Sequence, residues 1–164
     1  MVSSERTIAN LVYRYAELID SGNFEAAAAL FVHARIKLGP REIGADEVLA
    51  LWRGSIILYE DGTPRTKHVI TNPIIEVDET AGHGTCRSYY TVMQQVADGP
   101  LNAVICGRYH DAFERIDGQW RFSFRDYSLH DLPGDMARHS RNWQSNTQHV
   151  ADSRLTGGLP RDGD

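Results

Sequence analysis

The chain has 164 residues, of which 41% are hydrophobic and 24% charged, as in ordinary globular domains. Its net charge of −5 disfavours binding to nucleic acid or to an anionic membrane surface, because both need clustered lysine and arginine. No apolar run approaches the roughly 18 residues of a membrane-spanning helix, and the first residues show no secretory signal. We therefore predict a cytoplasmic one-domain protein in which Cys86 and Cys106 are buried free thiols.

The first third of the chain has the apolar spacing of amphipathic helices. In the first helix, apolar residues recur at spacings of three and four from Ile8 to Ile19. A serine before this run can cap the start of the helix, and "DSGN" after it predicts the end of the helix. A shorter helix is predicted in "NFEAAAALFV", a small hairpin in "RIKLGPREIG" and a third helix in "ADEVLALWRGSI".

After "EDGTPRT" the sequence is typical of strands. Four runs rich in β-branched and aromatic residues follow: "HVITNPIIEVD", "HGTCRSYYTVMQQV", "NAVICGRYHDAFERI" and "GQWRFSFRDYSL", with "IDGQW" as a tight hairpin turn. Helices followed by hairpin-linked strands predict an α+β domain with a mostly antiparallel sheet. We place this domain at residues 1–132 and expect residues 133–164 to form a partly extended or disordered tail, with Trp143 packed on a neighbouring subunit.

Several site motifs do not occur in the sequence. The histidines and cysteines lack the spacing of zinc sites, and the P-loop, the G-x-G-x-x-G fingerprint and the G-x-S-x-G nucleophile elbow are missing. Strand alternation places His68, Ile70, Asn72 and Ile74 on one face of the first long strand. Periodicity alone does not tell which face is inside. We expect no metal site.

Three polar residues stand among apolar neighbours. Tyr15 lies on the apolar stripe of the first helix, where its hydroxyl needs a buried partner, Asp20 ends that helix, and His68 opens the first long strand. Tyr15 and Asp20 are about 140° apart on an ideal helix, so they converge only if the last turn unwinds or a pocket wraps that end. A core aromatic, an exposed helix-end charge and a structural histidine are the ordinary alternatives.

The order of these elements, together with "YAELIDSGNFEAAAALF" and "GRYHDAFERIDGQWRFSFRDY", resembles the SnoaL-like branch of the nuclear-transport-factor-2-like superfamily over roughly residues 5–131. The resemblance implies a cystatin-like α+β barrel. In that fold a strongly curved sheet forms a cone around three N-terminal helices and leaves a deep apolar pocket. Many functions use this fold, so the fold alone assigns no activity.

Two dehydratases of that superfamily are similar in motif. "YAELID" and "TKHVITN" resemble the elements that carry the tyrosine, aspartate and histidine of bile acid 7-alpha-dehydratase, which implies catalytic roles for Tyr15, Asp20 and His68. Scytalone dehydratase is similar at the aspartate and this histidine and departs on the following strands. The resemblance implies that His68 is the general base and later the acid, Asp20 orients it, and Tyr15 polarises a carbonyl.

The implied activity is a cofactor-independent dehydration of a small hydrophobic cyclic hydroxy-ketone, such as a steroid or polyketide. A ketosteroid-isomerase-like or polyketide-cyclase-like enzyme and a non-catalytic ligand-binding or assembly subunit are the alternatives. We also expect a homo-oligomer, either a dimer or a trimer.

Five further residues are candidates for contact with the substrate. Tyr89, Tyr109 and Arg125 are candidates for lining the pocket, although such strand residues more often serve packing or lie at the surface. Trp52 and Phe124 are most simply core residues, in a fold where core and pocket wall are one surface.

Overall fold

The computed structural model describes residues 2–97 and 99–141. Its helices are α1 (Ser4–Asp20), α2 (Phe24–Ala29) and α3 (Ala45–Ser55). Its strands are β1 (Arg35–Leu38), β2 (Arg41–Ile43), β3 (Thr66–Asp78), β4 (His83–Gln94), β5 (Asn102–Ile116), β6 (Gln119–Asp126) and β7 (His130–Pro133). The three helices, the small hairpin and the four long strands were all predicted, whereas β7 was not.

Side-chain caps explain where the first two helices begin. The Ser3 hydroxyl accepts the backbone N–H of Arg6 at 3.3 Å, and the Asn23 side chain accepts the N–H of Ala26 at 3.1 Å. Each bond satisfies one of the N–H groups that the first turn of a helix leaves without a partner. The polar residues before the two apolar runs therefore determine these starts.

Gly22 ends α1 and ties it to the loop before β3. Its φ is +75°, in the left-handed region that favours glycine. A Cβ at this position would also collide with the backbone oxygen of Gly62. Glycine thus allows the end of α1 to approach the loop that leads into β3, and this approach brings Asp20 close to the start of that strand.

The sheet has seven strands in the order β2-β1-β6-β5-β4-β3, with β7 paired to β5. All neighbours are antiparallel except β1 and β6. Asp117 and Gly118 form the two-residue turn between β5 and β6 with φ of 50° and 77°, as the Asp-Gly pair predicted. Because β6 pairs with β5 only from His110 onward, β7 occupies the free edge of β5 at Ile105 to Gly107.

A bulge in β3 corrects the predicted alternation. The register shifts between Thr71 and Ile74, and Asn72 has a φ of 53°. His68 and Ile70 face inward, whereas Asn72 and Ile74 are exposed. One extra residue reverses the alternation of a strand, so the predicted face extends only as far as Ile70.

The sheet curves around α1, which packs against β3, β4 and β6. The observed α+β architecture confirms the predicted fold class of three helices and a curved, mostly antiparallel sheet. Within the described residues, no helix has the length and apolar character needed to cross a membrane. The predicted boundary between residues 132 and 133 falls inside β7, and Met136 beyond it is buried. Residues 142–164 of the predicted tail, Trp143 among them, lie outside the described residues.

Candidate active site

Asp20 and His68 form a buried pair where the end of α1 meets the start of β3. The Nδ1 atom of His68 lies 2.7 Å from Oδ1 of Asp20, and both side chains are nearly buried, at 6% and 7% exposure. The backbone N–H of His68 donates to Oδ2 at 2.8 Å, and the Thr66 hydroxyl donates to Oδ1 at 2.7 Å. Asp20 is therefore not an exposed helix-end charge.

The environment of Asp20 favours its ionised form. Burial by itself raises the pKa of this carboxyl, but the hydrogen bonds and the charge of His68, with the bond from Thr66, outweigh burial and hold the pKa below its ordinary value. An ionised carboxylate only accepts hydrogen bonds, so Nδ1 of His68 carries the proton in this pair. The other ring nitrogen of neutral His68 then keeps a lone pair.

His68 lines a cavity of about 600 Å³ between α3, the inner face of the sheet and the segment after β7. This volume lies within the range of small-molecule sites. The wall is largely apolar and aromatic, with a few polar groups. Its main residues are Leu38, Leu51, Trp52, Ile56, His68, Tyr90, Val92, Ile105, Arg108, Tyr109, Tyr127, His130, Met136 and His139.

Tyr15 is not part of this wall, although it lies next to it. Its ring is fully buried, 6.3 Å from the His68 ring between centroids, and its hydroxyl is hydrogen bonded to the Tyr127 hydroxyl at 3.2 Å. The indole N–H of Trp52 donates to the same Tyr127 oxygen at 3.3 Å. Burial raises the pKa of Tyr15 well above its ordinary value, and Tyr127 raises it further, so Tyr15 stays protonated. The phenol that faces the cavity from this group is Tyr127.

A second aromatic group forms the wall along β4 and β5. Tyr90 and Tyr109 stack with their ring centroids 4.4 Å apart, and the Tyr90 hydroxyl lies 2.7 Å from Nδ1 of His130. Burial raises the pKa of both tyrosines, so both phenols stay neutral. These rings offer a flat apolar surface with polar edges, which suits a ring-shaped ligand.

Arg125 lies behind the cavity wall rather than in it. It is fully buried in a bidentate ion pair with Asp111, at 2.7 and 2.8 Å, and its guanidinium lies 4.2 and 4.1 Å from the ring centroids of Tyr15 and Tyr109. Such an arrangement satisfies a buried charge and fixes both tyrosine rings. Arg125 therefore supports two rings of the site without facing the cavity.

Two other predicted candidates lie away from the cavity. Tyr89 is 54% exposed, because alternation in β4 turns it outward while its neighbour Tyr90 turns inward. Phe124 is half-buried at the pairing of β6 with β1 and does not line the cavity. Of the five predicted contact residues, Trp52 and Tyr109 are the two that the structure places in the cavity wall.

Sequence reasoning missed Tyr90, Tyr127, His130 and His139, which all line the cavity. Tyr90 had a signal, because the exposed Arg87 marks the outer face of β4 and Tyr90 falls on the opposite one. Tyr127 lies within the last predicted strand but just after the observed end of β6. His130 and His139 follow that predicted strand, where no periodic pattern indicates which side chains turn inward.

Among residues 2–97 and 99–141, no group of three or more His, Cys, Asp or Glu side chains is arranged to hold a metal ion. Cys86 and Cys106 are free thiols, and burial raises the pKa of Cys86 to about 12.

The sequence also matches a known family model. The model for the SnoaL-like domain matches residues 1–126, which is most of the chain. The chain belongs to the SnoaL-like domain family. No curated protein matches the chain at a significant level.

Solved structures share the fold of this SnoaL-like chain. A candidate scytalone dehydratase from Novosphingobium aromaticivorans is 22% identical with a TM-score of 0.60, over 79% of this chain and 85% of that one. A Mycobacterium tuberculosis protein of unknown function is 23% identical with a TM-score of 0.61, over 90% and 91%. The β subunit of a candidate aromatic-ring-hydroxylating dioxygenase from Novosphingobium aromaticivorans is 19% identical with a TM-score of 0.60, over 84% and 95%. At these identities the similarity demonstrates the fold alone.

Proposed function

We propose that this SnoaL-like protein is a cofactor-independent dehydratase that removes water from a small hydrophobic cyclic hydroxy-ketone, such as a steroid or polyketide. The observation that carries the proposal is the buried Asp20–His68 pair, whose His68 lines an apolar cavity together with Tyr127. The similarity to a candidate scytalone dehydratase is consistent with this activity. In this proposal His68 is the general base and acid and Asp20 orients it, as expected from the sequence, whereas Tyr15 acts on the carbonyl through Tyr127.

In the first step His68 acts as the general base. Its Nδ1–H is held by Asp20, so the lone pair is on Nε2. Nε2 takes the proton from the carbon next to the substrate carbonyl, and the electron pair of that C–H bond moves to the carbonyl oxygen to form an enolate. The Asp20 carboxylate stabilises the imidazolium that results.

The Tyr127 hydroxyl binds the enolate oxygen. Its own oxygen accepts the N–H of Trp52. When the Tyr127 O–H donates to the enolate, the Tyr15 hydroxyl, 3.2 Å away, becomes the donor of the bond between the two phenols and polarises the Tyr127 O–H further. A polarised phenol is a stronger donor to developing negative charge. Tyr15 thus acts through Tyr127, whereas the sequence had placed it directly on the carbonyl.

In the second step the enolate collapses. Its electron pair restores the carbonyl, the new carbon–carbon double bond forms, and the bond to the hydroxyl on the next carbon breaks. The imidazolium gives its proton to the departing oxygen, so the products are water and an unsaturated ketone. His68 returns to its neutral form and no other reactant is needed.

The test is a screen of cyclic hydroxy-ketones for loss of one water by mass spectrometry. For a substrate that reacts, His68→Ala and Asp20→Asn should each lower kcat by about 10²–10⁴-fold, since the first removes the base and the second removes the carboxylate that positions it. His33→Ala, at an exposed histidine before β1, is the matched control and should keep wild-type turnover. Near-wild-type activity in either site variant would refute this mechanism.

Two alternatives give different results in the same screen. An isomerase leaves the mass of the substrate unchanged but shifts its double bond, which the absorbance spectrum detects. A non-catalytic ligand-binding or assembly subunit binds the compound equally in the wild type and in His68→Ala, without turnover in either. Because the fold is also that of a candidate dioxygenase β subunit, binding to the wild type and to His68→Ala has to be compared as well as turnover.

We propose in addition that the protein forms a homo-oligomer through the outer face of the sheet. Val69, Ile74 and Tyr89 are apolar side chains on β3 and β4 that are 46%, 52% and 54% exposed. Light scattering after size exclusion should give a dimer or trimer mass, and Tyr89→Lys should lower it. A monomer mass for the wild type would contradict the proposal.

A further inference from the structure

His139 lies in a segment after β7 that runs beside the end of α3. Its backbone oxygen accepts the N–H of Ile57 at 3.0 Å, and the N–H of Arg141 donates to the backbone oxygen of Ser55 at 3.0 Å. Hydrogen bonds therefore hold the backbone at His139 and two residues beyond it. The His139 side chain has a defined position against the body of the domain.

The preceding residue shows how close this segment lies to the catalytic pair. The backbone oxygen of Arg138 accepts a bond from the Gln94 side chain at 3.5 Å, and Gln94 lies opposite Thr66 in the sheet. Thr66 is the residue that donates to Asp20. His139 and His68 both line the cavity, and His139 is close enough to His68 and Asp20 to interact with them electrostatically.

The His139 ring has a buried nitrogen atom without a hydrogen-bond partner among the described residues. The side chain is 8% exposed, and this atom is Nδ1. Three other side-chain atoms share this property, on Ser88, Arg121 and Arg125, and none of those residues lines the cavity. Buried polar atoms are normally hydrogen bonded, so a cavity-wall imidazole with one unsatisfied nitrogen is suited to bind a polar group of a ligand.

The two cavity histidines near Asp20 differ in their chemistry. His68 has a carboxylate partner, whereas burial, and then the charge of His68, lowers the pKa of His139 to about 4. The ring of His139 is uncharged at neutral pH and has one N–H donor and one lone pair. A hydroxyl group both donates and accepts, so it can pair with either nitrogen.

We infer that His139 is a substrate-binding residue that hydrogen-bonds the hydroxyl group of a cyclic ligand, while Tyr127 binds a carbonyl oxygen. The inference rests on the proposed function in that it takes the substrate to be a hydroxy-ketone. It places the departing hydroxyl beside His68, which has to protonate it. The dehydrated product has no hydroxyl at this position, so it loses the bond to His139 and binds more weakly than the substrate.

Borneol and camphor are matched probes for this inference. They share one bicyclic skeleton, but borneol carries only a hydroxyl and camphor only a carbonyl, so neither can undergo the proposed reaction. By calorimetric titration His139→Phe should weaken borneol binding about three- to tenfold and change camphor binding by less than roughly twofold, because one hydrogen bond is lost. Tyr127→Phe should show the reverse preference.

His139→Gln is the second variant, because its amide keeps a donor and an acceptor. It should retain most of the affinity for borneol. His139→Ala, which has neither a donor nor an acceptor, serves in place of His139→Phe if that variant does not fold. Equal losses for borneol and camphor in His139→Phe, or an unchanged affinity for borneol, would overturn the inference. Failure of borneol to bind to the wild type would also overturn it.

These outcomes are independent of turnover. If the hydroxy-ketone screen finds no loss of water but borneol binding depends on His139, the hydroxyl site stands and the dehydratase proposal fails. If turnover depends on His68 but borneol binding ignores His139, the dehydratase proposal stands and the role of His139 fails.

Discussion

Replacement of His139 by glutamine should make the stability of the protein less sensitive to acid. Burial lowers the pKa of folded His139 to about 4, whereas an unfolded chain has a histidine pKa of about 6.5. Between these values the unfolded state binds more protons than the folded state. The free energy of unfolding therefore falls as the pH falls from 6.5 towards 4, and the Gln variant does not share this loss.

The expected size follows from the two pKa values. Proton uptake by unfolded His139 costs almost nothing at pH 7 and about 2 kcal/mol at pH 5. The charged or titratable groups that act on His139 are His68 and Asp20, and both remain in the variant. The lowered pKa of Asp20 keeps this carboxylate ionised at both pH values. The difference between wild type and variant thus isolates His139.

The measurement is urea unfolding of both proteins at pH 7 and pH 5. From pH 7 to pH 5 the wild type should lose about 2 kcal/mol more stability than His139→Gln. His33→Gln, at an exposed histidine, is the matched control and should follow the wild type. Equal losses in wild type and His139→Gln would show that the folded ring of His139 titrates as it does in water, and the argument from burial would fail.

Three further changes test the supports of the site. Asp20→Asn should destabilise the protein at neutral pH, and the difference from the wild type should shrink below pH of about 4. The reason is that the ionised Asp20 carboxylate, whose pKa is lowered in the folded state, stabilises that state, whereas the protonated form does not. Urea unfolding at several pH values measures this difference, and a difference that is constant with pH would contradict the prediction. Arg125→Met should lower the free energy of unfolding by about 3–5 kcal/mol in thermal or urea unfolding, because it leaves Asp111 as a buried unpaired charge. A loss below about 1 kcal/mol would mean that the pair is better solvated than its burial indicates. Gly22→Ala should destabilise the protein by more than about 1 kcal/mol, since the residue has φ of +75° and a Cβ would meet the Gly62 oxygen. Gly54→Ala in α3 is the control and should be tolerated, because no atom lies within 4 Å of a Cβ at that position.

Much of the fold could be predicted because its signals are local. The apolar spacing from Ile8 to Ile19, the Ser3 cap and the Asp117-Gly118 turn each depend on residues a few positions apart. The bulge at Asn72 could not be predicted from alternation, because it depends on how β3 pairs with β4. β7 is too short for a periodic pattern, and its place depends on the edge of β5 that β6 leaves free.

For the candidate site, the sequence by itself pointed to Tyr15, Asp20 and His68 through a resemblance, and it left their convergence open. Only the tertiary structure decided that Asp20 reaches His68, since this contact joins the end of a helix to a strand 48 positions along the chain. It also placed Tyr15 behind Tyr127 and brought His139 to the cavity, because which side chains face one space depends on sheet curvature and on a returning segment that no local pattern encodes.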